Sequence, residues 1–302
     1  MSLHVPRAAV AVLRRMAVLH RERAGRQREI PYAARTGTTN PTAMPPVRAL
    51  LLILTLCLAG ATTSVRAAQP PTIAAASDLK FALDELVATY AASDGDAPRV
   101  AYGSSGNLAQ QIIQGAPFDI FMSADEAFVR RLVERDMTVD EGTLYGIGRL
   151  VLYAGPAAAF TPDEQLADLE AALRAGRIRR FALANPEHAP YGRAARAALQ
   201  ARGLWRALEP RLVLGENVSQ AAQFALGGDC DGGIFALSLA LSPALADRGT
   251  WVRLPDTLHP PLRQRMVLLR RAGPAARDFH AFLLQPAARE IFERYGFALP
   301  AP

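Results

Sequence analysis

The chain is poor in the residues that build metal centres, disulfide frameworks and lysine-lined anion sites. Its 302 residues include two cysteines, five histidines and a single lysine, Lys80. Cys57 lies in a segment expected to be removed, which leaves Cys230 alone and excludes an intramolecular disulfide in the mature chain. None of His4, His20, His188, His259 and His280 stands at metal-ligand spacing from a cysteine or another histidine. A G-x-S-x-G nucleophile elbow is missing, because Gly103-Ser104-Ser105-Gly106 has the wrong spacing. These absences argue against an enzyme, with catalytic residues and cofactors both expected to be none. Fixed-period repeats and low-complexity linkers are absent too. The apolar run at 49–60 has 12 uncharged residues, too short for the roughly 20 of a membrane-spanning helix.

Charge of one sign is also scarce where it would matter. The chain carries a formal +6, which on a folded surface would suggest nucleic acid or an anionic membrane. Residues 1–67, however, hold ten arginines against Glu22 and Glu29, a net of +8. The remaining 68–302 carry 24 basic and 26 acidic side chains, a net of −2. That balance argues against a basic nucleic-acid stripe on the folded body.

The 49–60 run suits the core of a secretory signal. Met44 and Arg48 precede it, and Val65-Arg66-Ala67 follows with small or aliphatic residues where a signal peptidase reads. Cleavage is expected after Ala67, giving a signal peptide at 44–67 and a periplasmic product. Leu56 before Cys57 argues against a lipoprotein site. Residues 1–43 are Arg-rich and patternless, and translation is expected to start at Met44. Arg14-Arg15 has a poor continuation for a twin-arginine signal.

From residue 70 short apolar runs alternate with helix-period segments. Strands are predicted at 72–76, 99–102, 119–122, 150–153, 181–184, 212–214, 233–236 and 266–269. Helices are predicted at 78–91, 107–114, 126–135, 193–203, 218–226 and 275–295. In the first helix Leu79, Ala82, Leu83, Leu86, Val87 and Tyr90 recur at three and four residues. The alternation predicts an α/β fold with mainly parallel sheets, either one large unit or two lobes. Ligands on such sheets bind beyond the carboxyl ends of strands.

Four of those strand-to-helix junctions share a chemistry. They are Ala74-Ala75-Ala76-Ser77-Asp78-Leu79, Tyr102-Gly103-Ser104-Ser105-Gly106-Asn107-Leu108, Asn185-Pro186-Glu187-His188-Ala189-Pro190-Tyr191-Gly192, and Gly215-Glu216-Asn217-Val218-Ser219. Each start presents unpaired backbone N–H groups at the positive end of a helix dipole. With the Ser77 and Ser105 hydroxyls they make a donor-only cradle for an anion. Taken singly, each junction is better explained as an ordinary N-cap, with Gly103 and Gly106 serving turn geometry. Asp119 and Asp125 read as structural, since a carboxylate facing a dianion repels it. Lys80, one turn into its helix, reads as pointing to solvent.

In order and spacing these stretches resemble the molybdate-binding proteins of periplasmic ABC transporters. The resemblance also includes Gly-Ala-Pro-Phe-Asp-Ile-Phe-Met-Ser-Ala-Asp at 115–125 and Phe-Glu-Arg-Tyr-Gly-Phe at 292–297, and runs over nearly all of 72–297. It implies a two-lobed periplasmic binding protein (type II), each lobe a mainly parallel sheet flanked by helices, with two crossing strands as the hinge. Lobe 1 would comprise 68–148 and 255–302, and lobe 2 would comprise 149–254. It further implies a molybdate or tungstate ligand held by Ser77, Ser105, Tyr191 and Val218, the last two through backbone amides. Ala76, Ser104, Gly106, Pro190 and Asn217 would support them. The partners would be the oxyanion and a membrane permease, with no nucleic acid, the protein being a monomer. One departure is visible: where some members place a Tyr hydroxyl on the anion, this chain has Ala236.

Two other readings of the same pattern are open. Sulfate and thiosulfate are also tetrahedral oxyanions offering only acceptors. The effector domain of a transcription regulator shares the architecture, but 1–67 shows no helix-turn-helix pattern.

Overall fold

The computed structural model describes residues 70–94, 97–243 and 248–299. The expected signal peptide, its cleavage site and the upstream extension lie outside them. The described residues all belong to one compact unit. Among the described residues no helix is long and apolar enough to cross a membrane.

The first sheet has the order β2-β1-β3-β10-β4. Its strands are β1 (Thr72–Ala76), β2 (Arg99–Gly103), β3 (Ile120–Ser123), β4 (Thr143–Gly148) and β10 (Leu262–Leu268). β1 pairs in parallel with β2 and β3, while β10 runs antiparallel to both β3 and β4. The second sheet repeats the pattern as β7-β6-β8-β5-β9. Here the strands are β5 (Leu150–Ala154), β6 (Phe181–Ala184), β7 (Leu212–Gly215), β8 (Gly232–Ala236) and β9 (Thr250–Arg253). Only β5 is reversed, antiparallel to β8 and β9. In each sheet four of five strands therefore share a direction. The reversed one is the strand entered from the other sheet, β5 after β4 and β10 after β9.

Helices cover the first sheet through α1 (Lys80–Asp94), α2 (Ser105–Ile113), α3 (Glu126–Val133), α9 (Pro274–Leu283) and α10 (Pro286–Arg294). The second carries α4 (Ala167–Arg174), α5 (Pro190–Ala201), α6 (Trp205–Leu208), α7 (Val218–Leu226) and α8 (Leu237–Ala240). This is the two-lobed α/β architecture with mainly parallel sheets that the family resemblance implied.

Strand periodicity organises the first lobe's core. Ile73, Ala75, Ile120, Met122, Met266 and Leu268 face Leu79, Leu83, Leu86, Phe279 and Phe292. Their neighbours Ala74, Phe121 and Val267 point the other way, onto Leu108, Ile112, Val129 and Leu132. A sheet buried on both faces needs apolar residues at successive positions, which is why its strands read as continuous runs. The second lobe packs Tyr153, Phe181, Leu183 and Phe235 against Ala195, Leu199 and Ala222.

Several elements differ from expectation. β4 and β9 were not predicted: β4 is broken by Gly146 and Gly148, and β9 is a half-exposed edge. α4 was not predicted either, being one short helix of eight residues with three buried apolar positions. The single terminal helix expected at 275–295 is two, because Pro286 cannot continue a helix and instead starts the second. The third junction's helix begins at Pro190 rather than 193.

Candidate functional site

The carboxyl ends of β1, β2, β3, β6 and β7 meet around one small cavity. Ser77 opens a 3₁₀ turn (Ser77–Leu79) directly after β1, with Ala76 in the capping position. Ser104 rather than Ser105 caps α2: its Oγ accepts from the Asn107 N–H at 3.4 Å. Ser105 is thus the first residue of the helix, and it is fully buried. α5 starts with Pro190 and Tyr191, its N-cap Ala189 supplying no side-chain bond. Asn217 caps α7, its Oδ1 accepting from the Gln220 N–H at 3.1 Å.

Ala76, Ser77, Ser104, Ser105, Pro190, Tyr191 and Val218 all line this cavity, joined by Asp78, Gly103, Ala124 and Ala189. Of the residues expected there, Gly106 and Asn217 act from behind. A Cβ on Gly106 would stand 2.6 Å from the His188 carbonyl oxygen, which its own N–H meets at 3.0 Å. Gly106 thus allows a close approach between lobes and is more than a turn residue. The cavity is about 10 Å³ measured at the centre of a water-sized sphere. Pockets for drug-sized organic ligands run to hundreds of Å³. Neither lysine nor arginine is among the lining residues.

The two predicted serines have a shared geometry. The Ser77 oxygen accepts from the Ser219 N–H at 3.2 Å, and the Ser105 oxygen accepts from the Ala124 N–H at 2.9 Å. Both are buried, and among the described residues neither hydroxyl hydrogen has a protein acceptor. Each is left free to donate into the cavity. The Ser104 oxygen is used instead on the Asn107 N–H and on His188 Nδ1, 2.9 Å away.

Contacts between the lobes surround the cavity. The Ser219 hydroxyl donates to the Ser77 carbonyl at 2.7 Å, and that of Ser238 to the Asp78 carbonyl at 2.7 Å. Asn107 Nδ2 donates to Glu216, and Arg193 pairs with Asp125 while stacking 5.0 Å from the Phe128 ring. Asp125 also caps α3 through the Ala127 N–H. Asp119 holds the β1 entrance, accepting from the Thr72 N–H and hydroxyl. Both acids are structural, as expected. Lys80 is half-exposed, paired with Asp84 over the Tyr102 ring.

Sequence reasoning missed the polar cluster beneath the cavity. Asp78, Tyr145, Tyr191 and Gln264 are all buried there. The Tyr191 hydroxyl donates to Asp78 Oδ2 at 3.0 Å, and Gln264 Nε2 donates to the same oxygen at 2.7 Å. Tyr145 donates to Gln264 Oε1 at 2.6 Å. Burial pushes the Asp78 carboxyl up to about 6, an effect partly offset by the bonds from Gln264 and Tyr191. Burial, with the Asp78 charge beside them, raises both tyrosines further above their ordinary value. Asp78 sits inside a quoted motif and could have been found. Gln264 carries no local signal. Ala236, fully buried, caps α8 and offers the cavity no side-chain donor. Among the described residues no cluster of three or more His, Cys, Asp or Glu could hold a metal cation.

Comparison with known proteins places this geometry. The family model for bacterial extracellular solute-binding proteins matches residues 71–298. The chain is 32% identical over 272 residues to the molybdate-binding protein of Rhodobacter capsulatus, covering 89% of this chain and 98% of that one. It is 30% identical over 230 residues to the molybdate-binding protein of Azotobacter vinelandii, covering 75% and 89%. The solved structure of an Azotobacter vinelandii periplasmic molybdate-binding protein superposes with a TM-score of 0.70 at 29% identity, covering 76% of this chain and all of that one.

Proposed function

The chain belongs to the family of bacterial extracellular solute-binding proteins, and on that premise we propose that it captures molybdate between its lobes and delivers it to the permease of an ABC transporter. Tungstate, of nearly the same size and the same charge, is an equal ligand. The protein works in the periplasm by binding and release, without turnover.

The observation that carries this reading is the pair of buried hydroxyls, Ser77 and Ser105, whose oxygens each accept one backbone N–H and whose hydrogens have no protein acceptor among the described residues. Such a site offers donors, and a tetrahedral dianion offers only acceptors. The amides of Tyr191 and Val218, in the first turns of α5 and α7, add donors at the positive ends of two helix dipoles. Hydrogen bonds to charged groups contribute about 1.5–3 kcal/mol each. Four of them, less the desolvation of the dianion, support micromolar or tighter binding, about −8 kcal/mol or better. The small volume supports an inorganic ion over an amino acid or a sugar.

Calorimetric titration of the purified protein with molybdate, tungstate, sulfate and phosphate tests the reading. One molybdate per chain, matched by tungstate and much tighter than sulfate, is expected. Sulfate bound as tightly as molybdate overturns the assignment.

A further inference from the structure

Tyr191 is unusual among the cavity residues in belonging to both lobes at once. Its backbone sits in the first turn of α5, on the second sheet, while its phenol is seated in the first lobe. There the hydroxyl donates to Asp78 Oδ2 at 3.0 Å and accepts from Gln264 Nε2 at 3.0 Å. Gln264 is itself oriented from β4 by the Tyr145 hydroxyl, at 2.6 Å. All four side chains are at most 4% exposed, so water does not compete for these bonds.

The seat exists because β4 ends in a glycine. A Cβ on Gly148 would stand 2.2 Å from the Tyr191 hydroxyl and 2.5 Å from Gln264 Nε2. Gly148 has no positive φ, so the requirement is for space and not for backbone conformation. It is also the last residue of β4, with only Arg149 between it and β5.

We propose that the Tyr191 phenol, seated on Asp78 and Gln264 in the space left by Gly148, is an internal latch that holds the lobes closed around the bound oxyanion. Gly148, Gln264 and Asp78 act as positioning residues through Tyr191. The physical link is short: the amide offered to the oxyanion and the hydroxyl anchored in the other lobe belong to one residue. Seating the hydroxyl therefore fixes the Tyr191 N–H relative to the Ser77 and Ser105 hydroxyls. The inference rests on the oxyanion reading above for the identity of the ligand, but not for the existence of the latch.

The test compares wild type, Tyr191→Phe, Gly148→Ala and the double variant. The readouts are molybdate titration, stopped-flow dissociation and association rates, and thermal midpoints without ligand. Each single variant is expected to weaken binding about tenfold through faster dissociation, with association unchanged; a purely structural lesion would not divide the rates in this way. In the double variant the new methyl group occupies the space of the missing hydroxyl. Its loss should therefore be no larger than that of Gly148→Ala alone, far short of the hundredfold of two independent losses. Wild-type dissociation rates in the single variants, or losses that multiply, overturn the latch. If Gly148→Ala does not fold, Tyr191→Phe alone decides by the same dissociation rate. If wild type itself gives no heat with molybdate, the ligand assignment fails. The latch is then decided by the ligand-free midpoints: Tyr191→Phe partly restoring the midpoint of Gly148→Ala supports it, and additive losses overturn it.

Discussion

Replacing Ser105 by alanine separates the two tasks of one oxygen atom. The Ser105 Oγ accepts the Ala124 N–H at 2.9 Å in a fully buried setting, and its own hydrogen faces no protein acceptor among the described residues. On the proposed function, removing it deletes one hydrogen bond to a charged ligand, about 1.5–3 kcal/mol. At 1.36 kcal/mol per decade, the molybdate dissociation constant rises about 10- to 150-fold. The same change orphans the Ala124 N–H, at a cost of about 1–3 kcal/mol to the ligand-free fold. Calorimetry reads the first effect and urea unfolding reads the second. A variant that loses stability but binds molybdate within twofold of wild type would refute the reasoning, because Ser105 would then serve only to tie α2 to the end of β3.

Three further outcomes follow from the same geometry. Gly106→Ala places a methyl carbon 2.6 Å from the His188 carbonyl oxygen; it should weaken molybdate binding at least tenfold with the fold of each lobe retained, read by calorimetry beside circular dichroism. Asp78 has a folded pKa of about 6 against an ordinary 3.8, so the folded state holds its proton longer and stability falls as pH rises from about 4 to 6. The penalty above pH 6 is about 3 kcal/mol, so Asp78→Asn should unfold at higher urea than wild type at pH 7.5, with the gap closing by pH 4. A gap that does not change with pH contradicts that account. For Glu126, burial alone would raise the carboxyl, but the bonds from Arg263 and Arg265 and the charges of Arg263 and Arg130 outweigh it and hold it below 4.5. Its contribution is therefore present above pH 4.5 and lost as pH falls through the lowered value. Glu126→Gln should cost about 1–3 kcal/mol at pH 7, and the cost should shrink as pH falls below 4.5, measured by the same unfolding assay.

Most of the fold was legible because its strands are buried on both faces. Thr72–Ala76 and Phe181–Ala184 coincide with β1 and β6, since continuous apolar runs bounded by helix caps are read directly from residue order. β4 escaped because two of its six residues are glycines. It is held instead by pairing with β10, more than a hundred residues away. β9 escaped because an edge strand with Trp251 and Arg253 half in solvent has no apolar run. Seven of the eleven lining residues were legible because they sit at or beside helix starts, where local sequence dictates which N–H groups are free; Asp78, Gly103, Ala124 and Ala189 were not among those expected. The latch was not, because its logic is one of contact. Nothing local to Gln264 or Gly148 indicates that a phenol from the other lobe will lie between them.

On the proposed function, one tetrahedral oxyanion sits between the first turns of α2, α5 and α7 and the 3₁₀ turn at Ser77. Crystals grown with molybdate and measured at the molybdenum absorption edge would locate it. A single anomalous peak is expected in the cavity, within hydrogen-bonding reach, through the ion's oxygens, of the Ser77 and Ser105 hydroxyls and the Tyr191 and Val218 amides. A peak elsewhere on the chain, or none in the cavity, would contradict it.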